Sequence, residues 1–127
     1  MTATRLTWND GYDERELMEP STADVEARIW ALDGADRSLV TIYRDGAHLA
    51  VGGSAPDHLF VYCTFDNLEF WQLVSDGDPA ATVSVVAGGQ AAPYPADRVT
   101  TLPSALDAAS TFLEHGVRAD GLRWATV

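Results

Sequence analysis

The chain has 127 residues, enough for one hydrophobic core without a metal or disulfide staple. Nineteen acidic side chains face eight basic ones, all arginine, for a net charge of −11; that balance disfavours nucleic acid and anionic lipid as partners and favours basic proteins. One cysteine, Cys63, excludes an internal disulfide and any cysteine-pair zinc motif.

The hydrophobic fraction of 46% is that of an ordinary globular chain. At this size roughly 6,600 Å² of folded surface is expected against about 20,000 Å² for the extended chain. The opening MTATRLTW has no basic segment followed by an apolar one, and no apolar stretch approaches a membrane span. The expectation is a cytoplasmic protein in a reducing compartment.

Residues 3–9 suit a short strand, with Leu6 and Trp8 on one face and Arg5 and Thr7 on the other. Asn9-Asp10-Gly11 reads as a turn. Residues 12–20 are polar and carry no element signal up to Pro20. Ser21 or Thr22 caps a first helix, without the Glu or Gln of a full capping box. Its apolar stripe is Val25, Ile29 and Leu32, flanked by Ala23, Ala27 and Trp30. Asp24 and Glu26 favour the helix start, and Asp33-Gly34 ends it.

The centre reads as sheet. Residues 39–43 form a β-rich run, and Asp45-Gly46 is the best hairpin signal in the chain. Residues 47–51 return, and residues 52–56, with two glycines and a proline, read as a loop. Residues 58–64 form the most apolar strand. Asp66-Asn67 turns the chain into residues 68–74, and residues 76–79 turn it again into 81–86. Short connections favour neighbouring antiparallel strands in a meander. Gly88-Gly89 and the prolines at 93 and 95 break the pattern, leaving Tyr94 to anchor an irregular segment. Residues 97–102 are an edge strand or an extended link. Pro103 suits the first turn of a second helix with Leu106, Ala109, Phe112 and Leu113 on its apolar face, stopped at His115-Gly116. Residues 121–124 form a last short strand. The whole is one domain over residues 1–127. Its fold class is α+β, two layers, with an antiparallel sheet of about five to seven strands and two helices on one face.

Groups that could do chemistry are sparse. His48, His58 and His115 share no metal-ligand spacing. Gly52-Gly53-Ser54 lacks the lysine and the following helix of a phosphate loop. The serines lack a nucleophile-elbow pattern, and Cys63 lies within an apolar strand. The pairs Asp66 and Glu69, and Asp76 and Asp78, sit in turns, where solvated charge is the default reading. Of Phe70 and Trp71, one must point away from the core face of a regular strand. An exposed aromatic among those acids suits a protein interface.

The stretch Phe112-Leu113-Glu114-His115-Gly116-Val117-Arg118-Ala119-Asp120-Gly121-Leu122-Arg123-Trp124 resembles the closing signature of the Imm1 family of immunity proteins. That signature is a helix with a Phe-Leu pair, a Gly, an Arg-Pro step and a short strand ending in Trp. Phe112-Leu113, Gly116, Arg118, Leu122 and Trp124 fit it, and Ala119 stands where proline is usual. The early helix, the 39–43 strand, the glycine hairpin, the Phe60–Tyr62 strand and the proline step before the last helix are similar in layout.

The resemblance implies an immunity protein that binds and neutralises a cognate toxin without catalysis or cofactor. Some relatives are encoded beside cytidine-deaminase-like toxins that act on nucleic acid. A deaminase or nuclease would carry a basic substrate groove that an acidic partner could cover. The expected partner is then a basic toxin protein, bound one to one by an otherwise monomeric chain, with no nucleic acid, membrane or metal involved. Candidate toxin contacts are Asp45, Asp57, Asp66, Glu69, Asp76 and Asp78, with Trp71 as an anchor. Gly116, Arg118 and Trp124 read as scaffold, with Trp124 under the second helix and Arg118 paired with a carboxylate. The alternatives are an adaptor or regulatory domain for another basic protein, and a small enzyme or ligand-binding domain.

Overall fold

A computed structural model describes residues 2–127. In chain order it has β1 (Thr4–Asp10), β2 (Asp13–Met18), α1 (Thr22–Trp30), β3 (Leu39–Arg44), β4 (Ala47–Ser54), β5 (His58–Thr64), β6 (Phe70–Val74), β7 (Thr82–Ala87), β8 (Gln90–Pro95), a 3-10 turn at Ala96–Arg98, α2 (Leu102–His115) and β9 (Arg123–Thr126). Seven strands form one antiparallel sheet in the order β2-β1-β3-β4-β5-β6-β9. The helices pack on one face of it. Strand alternation puts Leu6, Val40, Ile42, Leu49, Val51, Leu59, Val61, Cys63 and Leu73 on that face, in one core with Val25 and Ile29 of α1 and Phe112 of α2. The α+β class and the helix-covered face follow the sequence expectation, and the folded surface is 6696 Å².

Local chemistry explains both helices. Ser21 Oγ accepts from the Asp24 amide at 3.1 Å, and the Asp24 carboxylate accepts from the Ser21 amide at 2.9 Å. The capping box therefore exists after all, because the shorter Asp reaches the same amide that Glu or Gln reaches in the usual motif. Helix α1 ends at Trp30, with Ala31 as its cap rather than Asp33-Gly34. Asp33 instead caps the following loop, accepting from the Ala35 and Arg37 amides. Pro103 lies in the first turn of α2, and Gly116, at φ +69°, closes it in the left-handed conformation.

Four elements depart from the sequence expectation. Residues 13–18 form a strand, β2, in a stretch expected to hold none; an exposed edge strand shows water on both faces and so carries no apolar alternation. Gly52, Gly53 and Ser54 continue β4 instead of looping, because other side chains fill the space above the glycines. A Cβ on Gly52 would lie 2.8 Å from Phe60 Cζ and 2.9 Å from Ala87 Cβ. The meander stops at β6: β7 pairs with β8, and the edge of β6 is taken by β9. Residues 90–95 are a strand despite Pro93 and Pro95, which a two-stranded ribbon tolerates at its free edge. That β7–β8 hairpin folds over the second face of the sheet, where Val85 and Tyr94 close on Phe60.

Candidate protein-binding face

The face opposite the helices is covered only in part. Beyond the hairpin it carries a row of half-exposed rings across successive strands. The Arg5 guanidinium carbon sits 4.2 Å from the centre of the Tyr43 ring. Tyr43 lies 5.7 Å from His48, His48 6.0 Å from Tyr62, and Tyr62 6.3 Å from Phe70. Tyr62 stacks on Phe60, which stacks on Tyr94. Partial burial among these rings pushes the Tyr62 phenol up and the His48 imidazole down, so both are held neutral. Phe70 is the ring that points to this open face.

A cleft of about 780 Å³ continues the face between the β1–β2 hairpin and the Gly88–Gly89 turn. Asn9 fixes its walls. Its Oδ1 accepts from the Ser38 and Leu39 amides, both at 2.9 Å, and its Nδ2 donates to Ser38 Oγ and the Asp36 carbonyl, both at 3.2 Å. Ser38, fully buried, accepts in turn from the Gly89 amide at 2.9 Å. One asparagine and one serine thus tie β1, the loop before β3 and the hairpin tip together. Sequence reading placed Asn9 in a turn and passed over Ser38, since partners thirty and fifty residues away leave no local pattern.

The acids proposed from sequence divide between the two ends of the sheet. Asp45 and the Asp66–Glu69 turn lie at one end, joined by the Asn67 side chain donating to the Gly46 carbonyl at 3.2 Å. Asp57 and Asp76 line a separate groove at the other end, with Asp78 in the same loop. Several have local work. Asp45 accepts from the Ala3 amide, Asp78 from the Ala80 amide, and Asp76 pairs with Arg123 at 2.9 Å. Asp66 accepts from the Glu69 and Leu68 amides, which hold its carboxyl below the usual range. Trp71 faces the helix layer opposite Cys63 and is half-buried. The exposed tryptophan is Trp30 of α1, at 61%.

The potential chemical groups lie apart. Cys63 is buried and its thiol is pushed up to about 11 by that burial, with Arg118 opposing weakly. His58 begins β5, and His115 ends α2 beside Glu114. Among the described residues no three His, Cys, Asp or Glu side chains are placed to hold a metal ion. No helix among them is long and apolar enough to cross a membrane.

Residues 13–126 match the family model described as Immunity protein Imm1. The chain belongs to the Imm1 family. No curated protein matches it. Imm1 membership carries a general role in immunity, exercised by binding a toxin. The Imm1 signature residues hold the fold's closing turn. The guanidinium of Arg44 lies against Gly116 where a Cβ would be, and Arg44 Nε donates to the Leu113 carbonyl at 3.3 Å at the negative end of α2. Trp124 packs on the helix-covered core and donates from Nε1 to the Ala119 carbonyl at 3.2 Å. Arg118 forms no carboxylate pair among the described residues, contrary to expectation. It lies over Trp71 instead, in a cation–π contact with the ring face.

Proposed function

We propose that this Imm1 protein neutralises its toxin by occupying or covering a basic, nucleic-acid-binding surface, with no chemistry of its own. The observation that carries this reading is the charge of −11, borne by acids at both ends of the sheet and along its β2 edge. A nuclease or deaminase must attract phosphates, so its substrate surface is positive. An acidic protein meets that surface with a complementary field, which accelerates encounter and orients it. Binding strength then rests on a few desolvated rings, and the Tyr43–His48–Tyr62–Phe70 row offers such rings.

The non-catalytic part of the reading is supported by what the polar groups already do. Asp66, Asp76 and Asp78 are engaged in turns or ion pairs, and the Cys63 thiol stays protonated. The complex is one to one and forms in the cytoplasm, where a nucleic-acid-directed toxin would harm its producer.

The test is co-expression with the product of the adjacent gene. Cells making that product should survive only when this protein is made with it, the two should co-purify one to one, and association should slow as salt rises. Death despite co-expression, with no complex recovered, would overturn this function.

A further inference from the structure

We propose that the cleft between the β1–β2 hairpin and the Gly88–Gly89 turn receives an arginine side chain from the partner protein. The toxin-binding reading supplies only the partner's identity; the chemistry comes from the cleft. Its floor holds Thr7 and Thr41, directly paired across β1 and β3 and only 5% and 8% exposed. Neither hydroxyl is hydrogen-bonded to another protein group among the described residues. Both hydroxyls are open to the cleft rather than sealed from water, so an arriving donor can reach them without breaking a bond within the chain.

The walls set the sign of the occupant. Glu14 and Asp36 line the cleft, and neither carboxylate has an ion-pair partner among the described residues. The Tyr43 ring and the fully exposed Tyr12 complete the lining. Acceptor hydroxyls, free carboxylates and aromatic rings together favour a planar, multiply donating cation, which is guanidinium rather than ammonium. A metal ion is disfavoured, since among the described residues no three ligating side chains converge. Immediately beside the cleft the same recognition is already satisfied within the chain. Arg5 lies over Tyr43 and bonds Glu16 at 3.1 Å.

The cleft is also built in advance. Asn9 and Ser38 hold its two walls through the network described above, so an arriving side chain orders little that is not ordered already.

The test titrates the whole protein, labelled for NMR, with acetyl-Gly-Arg-Gly-amide and with its lysine and citrulline counterparts. Shifts should concentrate at Thr7, Thr41, Gly88 and Gly89, be larger for arginine than lysine, and vanish for the neutral citrulline. Thr41→Val and Glu14→Gln should each weaken the arginine response about tenfold, the order expected for one charge-assisted hydrogen bond. Glu14→Gln serves alone if Thr41→Val does not fold. An absent response, or one equally strong at Asp76 and Asp78, overturns the assignment. With the cognate toxin, Glu14→Gln and Tyr12→Ala should lower affinity about tenfold together. A toxin that binds these variants as tightly as the parent chain also overturns the cleft while leaving toxin binding intact. A toxin that never binds removes the functional reading, and the peptide titration still decides the cleft.

Discussion

Arg118 lies over Trp71, its guanidinium carbon 3.7 Å from the ring centre. The contact joins the loop after α2 to β6, the strand that pairs with β9, so it fastens the last segment of the chain to the sheet. Arg118→Ala should lower unfolding free energy by about 1 kcal/mol, the scale of a partly buried cation–π pair, and alter tryptophan emission. Arg118→Lys should retain part of both effects. Urea unfolding followed by fluorescence checks this; an unchanged midpoint and spectrum for Arg118→Ala would show the contact to be idle.

Gly116→Ala faces two penalties. The left-handed backbone costs an alanine about 1 kcal/mol, and the new methyl meets the Arg44 guanidinium. We expect a total loss of about 2 kcal/mol, with a smaller loss when Arg44→Ala has already cleared the space. A double-mutant cycle by chemical denaturation should then give non-additivity of at least about 0.5 kcal/mol. Strict additivity would mean that Arg44 moves aside freely.

Asn9→Ala strands the Ser38 and Leu39 amides and loosens Ser38 Oγ, the acceptor for Gly89. The expected loss is about 2 kcal/mol, within the range for unsatisfied buried donors. Hydrogen exchange at the Gly89 amide should accelerate beyond the change in global stability. If Gly89 exchange only follows the global change, the hairpin tip is held by something other than this network.

Asp24, Asp33 and Asp66 all have carboxyls held below their ordinary value of 3.8. Amide hydrogen bonds are the main cause, from Ser21, from Arg37 and from Glu69 respectively. A depressed acid stabilises the folded state at pH values above 3.8, where both states are ionised. That contribution is lost as pH falls through the lower folded-state value. Asp66→Asn should therefore be less stable than the parent chain near neutral pH, and the two should converge as pH falls below the lowered folded-state value. Thermal unfolding across that range measures it, and a constant gap at all pH values would assign the difference to shape rather than charge.

Much of the scaffold is legible locally. The β5 boundaries, the Asp45-Gly46 hairpin, Pro103 at the start of α2 and Gly116 at its end each follow from residues within one turn or one pleat of each other. The family signature is legible for a similar reason, since its residues are contiguous. The binding face is not. Phe70, Tyr62, His48 and Tyr43 come together only when four strands take this order. The same acids that look like one patch in sequence lie at opposite ends of the sheet.

The sequence by itself determined the charge, the two amphipathic helices, most of the strands and membership of an immunity family, because periodicity, turn chemistry and motif spacing act between near neighbours. Only the tertiary structure decided that β9 closes the edge of β6, that β7 and β8 fold over the second face, and that Asn9, Ser38 and Gly89 frame a cleft. Those outcomes depend on how distant surfaces compete to be buried and how distant polar groups find partners, and neither competition leaves a mark on any single stretch of chain.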